Sequence, residues 1–259
     1  MSDDHGRFIW YELMTSDTAA ARKFYGEVVD WTFHDMPMPG MTYTVLQAGG
    51  RGIGGLMGIP ADAAAMGVPP NWTGYVAVDD TDAAVAKVKA LGGSVMREPT
   101  DIPTIGRFAV VADPAGAVIA IMTPAPMDSP PEPIAAGTPG SSAWRELYGA
   151  DPKTGFDFYG DLFGWKRDEA MDMGPMGVYQ LFSNQDGQVG GMMRKPDQVP
   201  VAAWAYYFQV GEIDAAADRV RNAGGQVLNG PMEVPGGGWI VQAMDPQGAM
   251  FALFGSKAA

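Results

Sequence analysis

The chain has 259 residues, 47% of them apolar, which is enough for two domains with well-buried cores. Seventeen Lys and Arg stand against thirty Asp and Glu, and a net charge of −13 argues against nucleic acid or an anionic membrane as partner, since both reward clustered cations. There is no cysteine, so disulfides, thiolate nucleophiles and Cys-ligated metals are excluded.

The opening segment, MSDDHGR, is acidic and lacks an apolar stretch, so it does not read as a signal peptide. No apolar run approaches the ~20 residues of a membrane helix, and a cytoplasmic location is expected. Residues 8–14 alternate as a strand. SDTAAARKFYGEVV follows as a helix, with Ser16 or Asp17 as its cap and the Ala, Phe24 and Val28 positions at helical spacing. WTFHDM, MTYTVLQA and RGIGGLMGI then read as short strands separated by Pro and Gly turns. The order recurs: TGYVAVDD as a strand, DAAVAKVKALGG as a helix stopped by Gly92 or Gly93, then strands in SVMREP, GRFAVVADPAG and AVIAIM, with Asp113-Pro114-Ala115-Gly116 as a hairpin turn. Each quarter is βαβββ.

The second half repeats the first. At an offset of 134, Trp10, Glu12, Leu13, Asp17, Phe24, Tyr25, Gly26 and Trp31 match Trp144, Glu146, Leu147, Asp151, Phe158, Tyr159, Gly160 and Trp165. At 136, Gly54, Gly55 and Met57 match Gly190, Gly191 and Met193; at 132, Trp72, Asp113, Pro114 and Gly116 are among those matching Trp204, Asp245, Pro246 and Gly248. The expected division is an N-terminal domain over 1–124 (modules 7–60 and 71–124), a Pro-rich linker over 125–141, and a C-terminal domain over 142–259 (modules 142–194 and 203–255). The fold class is α+β, with four βαβββ modules.

Asp17 followed by Phe24-Tyr25-Gly26, with Asp113-Pro114-x-Gly116 before the last strand and the same pair in the second half, resembles the vicinal oxygen chelate superfamily. That superfamily takes in glyoxalases, bleomycin-resistance proteins and extradiol dioxygenases. The resemblance covers nearly the whole chain outside linker and termini. It implies two tandem domains, each a pair of modules whose mixed sheets form a cup. It also implies a divalent metal held at positions seven residues before the strand-end Asp and seven after the Asp of Asp-Pro-x-Gly. Those positions hold Trp10, Thr73, Trp144, Ala205, Ala120 and Ala252, none of which is a metal ligand. The two histidines, His5 and His34, have no twin in the other half. The expectation is therefore no metal and no cofactor.

Alternation puts Trp10 and Glu12 on one strand face, and Trp144 and Glu146 on another; the resemblance turns both faces into the cups. A carboxylate there needs a donor, a cation or a proton. Three readings stand: a structural hydrogen-bond acceptor, a polar contact to a small ligand with Trp10 or Trp144 stacked on it, or a metal ligand or general base assisted by Gln47, Gln180, Gln242 or another Glu. Arg107 and its counterpart Trp239 are further candidates for ligand contact, because the copies differ there. Phe24-Tyr25 and Phe158-Tyr159 read as helix-on-sheet packing, and Trp72 and Trp204 as plugs between modules or pocket walls. The Gly pairs read as strand bends or close backbone approach. Met in MPMPGM and MDMGPM could form a plastic apolar rim. The functional expectation is a protein that binds a small apolar or aromatic molecule, as a monomer or homodimer. The alternatives are a divalent-metal lyase- or dioxygenase-like enzyme, and a non-catalytic interaction protein with filled cups.

Overall fold

The computed structural model describes residues 2–38, 41–126, 134–197 and 199–258. Part of the expected linker, 127–133, and two residues of the MPMPGM loop lie outside them. Four βαβββ modules follow one another. The first holds β1 (Phe8–Thr15), α1 (Thr18–Val29), β2 (Thr32–Met38), β3 (Met41–Ala48) and β4 (Arg51–Gly58); a short helix α2 (Ala61–Ala65), which the sequence pattern does not reveal, follows it. The second holds β5 (Asn71–Ala77), α3 (Thr81–Ala90), β6 (Ser94–Ile102), β7 (Gly106–Ala112) and β8 (Val118–Pro124). The third holds β9 (Ser142–Gly149), α4 (Pro152–Phe163), β10 (Lys166–Asp172), β11 (Val178–Asn184) and β12 (Gly187–Arg194). The fourth holds β13 (Ala203–Glu212), α5 (Ile213–Asn222), β14 (Gln226–Glu233), β15 (Trp239–Met244) and β16 (Met250–Ser256). Trp72 and Trp204 lie inside β5 and β13.

The strands form two open, cup-like mixed sheets of eight, ordered β2-β3-β4-β1-β5-β8-β7-β6 and β10-β11-β12-β9-β13-β16-β15-β14. In each module the first and last strands run parallel, as β1 with β4, and the rest pair antiparallel. Among the described residues no helix is long and apolar enough to cross a membrane.

The four module helices, α1, α3, α4 and α5, each start where a carboxylate satisfies free amides. Asp17 accepts from the Ala20 amide at 2.9 Å, Asp80 from Ala83 at 3.0 Å, Asp151 from Thr154 at 3.0 Å, and Glu212 from Asp214 at 3.0 Å. In α1, Ala21, Phe24, Tyr25, Val28 and Val29 are buried, the one-sided stripe the spacing predicts.

Contacts group the chain into two compact units that cut across the halves. One unit holds α3, α4 and most of β5 to β12; the other holds α1, α5 and most of β1 to β4 and β13 to β16. The repeated motifs explain this grouping. In the second unit, the Trp72 indole donates to the Tyr25 hydroxyl (2.9 Å), which donates to Asp245 (3.0 Å). Asp245 also accepts from the amides of Gln247 and Ala249, closing the Asp-Pro-x-Gly turn. Phe24, Trp31, Phe208 and Phe251 pack around this chain of bonds. In the first unit, Trp204 donates to Tyr159 at 3.0 Å, and Tyr159 bonds Asp113. The Phe-Tyr and Asp-Pro-x-Gly motifs therefore join module one to four and two to three. Burial pushes the Tyr25 hydroxyl well above its ordinary pKa, with the Asp245 charge adding to it.

Candidate functional site

The candidate site is the face of β1 to β4 that turns away from α1. Tyr11, Leu13 and Thr15 point to the buried helix side, so Trp10, Glu12 and Met14 share the other. Register aligns one row across four strands: His34 opposite Val45, Val45 opposite Gly55, Gly55 opposite Glu12. In the next row Met36 faces Tyr43, and Met57 faces Met14.

Two glycines make the arrangement possible. A Cβ on Gly54 would stand 2.2 Å from the Tyr11 carbonyl oxygen, so glycine lets β4 lie close on β1. A Cβ on Gly55 would stand 1.9 Å from the Tyr43 hydroxyl and 2.8 Å from Glu12 Oε2. Tyr43 thus crosses over a bare backbone and donates to Oε2 at 2.6 Å, while the Trp10 indole donates to the Tyr43 oxygen at 2.8 Å. Glu12 is buried, and burial raises its pKa from 4.5 to about 7; the hydrogen bonds from Tyr43 and Trp10 pull it down without offsetting that penalty. Trp10, Met14, Tyr43 and Met57 are partly exposed and Met36 is exposed, so a buried carboxyl bonded to a part-buried hydroxyl sits within an accessible wall of thioether and aromatic groups.

The second half repeats the frame with one change. A Cβ on Gly190 would meet the Arg145 carbonyl oxygen at 2.4 Å, and one on Gly191 would meet the Tyr179 ring at 2.2 Å. Met171, Tyr179, Met193 and Tyr148 form one row. Tyr148 stands where the first half has Met14, and its hydroxyl donates to Glu146 Oε2. Glu146 is buried and Trp144 partly exposed on this face.

Arg107 and Trp239, expected as ligand contacts, are placed elsewhere. Arg107 grips both oxygens of Asp82, in the first turn of α3, at 2.6 and 3.0 Å, and Asp101 at 3.0 Å. Trp239 lies under Lys257, whose Nζ is 4.1 Å from the ring centre and 3.7 Å from Asp214, the matching first-turn residue of α5. Both therefore belong to helix-terminus clusters.

The glutamines do not gather at the carboxylates either. Gln47 accepts from Thr32; Gln180 donates to the Asp168 carbonyl at 2.8 Å, within the bulged pairing of β10 and β11; Gln242 donates to Tyr207 at 2.8 Å and accepts from Asn229 at 3.2 Å. Among the described residues no three His, Asp or Glu side chains lie close enough to hold a metal ion. Ala120 and Ala252 are fully buried in β8 and β16, so the side chains at the family's ligand positions do not fit a divalent ion. His5 accepts from the Asp79 amide at 3.2 Å, and His34 ends the row about 14 Å from Glu12 at the usual strand spacing. Two surface grooves, of roughly 530 Å³ along Gln226–Gly230 and roughly 380 Å³ beside Asp30 and Arg219, include neither glutamate.

Tyr43, Tyr179 and Tyr148 were not singled out from sequence. A signal for the first two existed: they match at the same offset of 136 as the glycine pairs they cross.

Comparison with known proteins gives the family. The sequence profile of the Glyoxalase/Bleomycin resistance protein/Dioxygenase superfamily matches residues 7–121 and 142–253. The "Putative glyoxylase CFP32" of Mycobacterium tuberculosis is 33% identical over 246 residues, spanning 94% of this chain and 92% of that protein. The anthracycline biosynthesis protein DnrV of Streptomyces peucetius is 32% identical over 257 residues, spanning 94% and 91%. Among solved structures, the Mn(II)-bound glyoxalase from Novosphingobium aromaticivorans superposes with a TM-score of 0.63 at 17% identity (98% of this chain, 83% of that one). The 2,3-dioxygenase LapB from Pseudomonas sp. KL28 gives 0.65 at 15% (98% and 94%). At such identities the superpositions establish the fold alone, while the profile and the relatives establish kinship: the chain belongs to the glyoxalase/bleomycin resistance protein/dioxygenase superfamily.

Proposed function

We propose that the protein binds a small planar, largely apolar or aromatic molecule against the Trp10–Glu12–Tyr43 face, without the superfamily's usual metal, as a monomer or homodimer in the cytoplasm. The observation that carries this reading is a single carboxyl–hydroxyl pair, buried Glu12 and part-buried Tyr43, framed by Trp10, Met14, Met36 and Met57. Ligand sites are typically apolar walls with few placed polar groups, and Met adapts its shape to flat rings. Trp, Thr and Ala at the family's ligand positions support the metal-free part. The Streptomyces relative named for anthracycline biosynthesis supports a fused-ring ligand, since anthracyclines are fused-ring aromatics.

The test is calorimetric titration with anthracene-2-sulfonate, beside elemental analysis of protein purified without chelator. Saturable binding with a negative heat-capacity change, weakened in Trp10→Ala, is the expected result. Absence of binding overturns the reading. Stoichiometric Mn, Fe, Ni or Zn that disappears in Glu12→Gln overturns its metal-free part.

A further inference from the structure

The hydrogen bonds around Glu12 have a direction. An indole N–H can only donate, so the Tyr43 oxygen accepts from Trp10, and the Tyr43 hydroxyl hydrogen goes to Glu12 Oε2. With Oε2 occupied as an acceptor, a proton on this carboxyl sits on Oε1. The Tyr43 bond ends on Oε2, the Trp10 indole also lies within reach of the carboxyl, and among the described residues no salt bridge reaches Glu12, which keeps 6% of its surface open. Tyr148 bonds Glu146 in the second half, but the equivalent Met14 cannot bond Glu12.

Resting on the binding function proposed above, we infer that Glu12 engages its ligand as a neutral acid, donating from Oε1 to a carbonyl oxygen of a quinone- or ketone-type ring. The position of its titration, about 7, keeps a large share of the acid protonated near neutral pH. On β1 to β4, the titratable groups on this face are Tyr43, in contact, and His34 at the far end of the row. The side chains bordering Glu12 within the row and beside it, Val45, Met14 and Met57, are uncharged, and Gly55 presents none.

The test compares 9,10-anthraquinone-2-sulfonate with anthracene-2-sulfonate, which share ring size and charge and differ in the two carbonyls. Wild type is expected to prefer the quinone by roughly tenfold at about pH 5.5, and to lose the preference by about pH 8.5 as Glu12 ionises. Glu12→Gln, whose amide still donates, is expected to keep the preference at both pH values; Glu12→Leu is expected to lose it at both while still binding anthracene-2-sulfonate. Equal affinity of wild type for the two probes at the lower pH overturns the inference and leaves the binding function standing. Loss of the preference in Glu12→Gln also overturns it, because the carboxyl then acts as an ionised acceptor. If neither probe binds, the binding function fails and the inference with it.

Discussion

Tyr43 reaches Glu12 through the space that a side chain on Gly55 would fill: the hydroxyl lies 2.6 Å from Oε2 and 1.9 Å from where a Gly55 Cβ would stand. The carboxyl, the phenol and the missing side chain come from three strands and form one device.

Gly55→Ala is expected to expel Tyr43 from its position. Overpacking of this kind costs about 1–3 kcal/mol, and here it also breaks the bond to Glu12. Chemical denaturation checks the stability loss, and a rise in the Glu12 titration midpoint checks the broken bond. Gly191→Ala, where the Cβ meets the Tyr179 ring at 2.2 Å, is expected to cost a similar amount. Wild-type stability in both variants would show that the tyrosines do not cross these glycines.

Tyr43→Phe removes a donor that holds the Glu12 pKa down. The midpoint is expected to move above about 7, seen as a carboxylic-acid C=O infrared band that persists to higher pH and is absent from Glu12→Gln. An unchanged midpoint would mean that the phenol does not bond the carboxylate.

Glu12 also makes stability depend on pH, with a definite sign. Its folded pKa, about 7, lies above its ordinary 4.5, so between these values the folded chain holds a proton that the unfolded chain has released. Stability contributed at this site is fully present below about pH 4.5 and is lost as pH rises through about 7, a change of about 3 kcal/mol in the limit. Urea midpoints of wild type and Glu12→Gln across this range isolate the effect, since the other groups cancel in the difference. The wild type is expected to fall relative to the variant with rising pH; a difference independent of pH refutes the assignment.

Tyr25→Phe leaves the Trp72 indole without its acceptor and Asp245 without a buried donor. A loss of about 1–3 kcal/mol is expected, with the Glu12 titration unchanged, because this chain of bonds lies on the helix side. Thermal unfolding and the infrared titration check the two halves of this statement.

Arg107→Ala removes an exposed ion pair with Asp82 and Asp101. Solvent-screened pairs contribute little. No loss of affinity for the aromatic probe is expected, and a clear loss in the calorimetric titration would place Arg107 at the ligand.

The repeat, the four modules and the cap of the first helix were legible in the sequence because they depend on local chemistry. Asp17, one of the two caps the sequence offered, caps α1, and strand alternation alone put Trp10 with Glu12. The glycine pairs were legible as places of close approach, but not what approaches them. Tyr43 meets Glu12 only once β4 lies between β3 and β1 in one register, and a shift of one residue would turn it to the other face. The partners of Arg107 and Trp239 were likewise not legible, because Asp82 and Lys257 reach them from elements distant in sequence.

The sequence by itself thus determined the module plan, the absence of histidine and cysteine from the family's ligand positions, and which residues share a strand face, all set by neighbours a few positions apart. Only the tertiary structure decided that Tyr25 holds Asp245 across 220 residues, that Tyr43 and Trp10 close on Glu12, and that Glu12 is buried enough to keep its proton near neutrality. Those outcomes depend on strand order and register, and desolvation exists only when distant segments together exclude water.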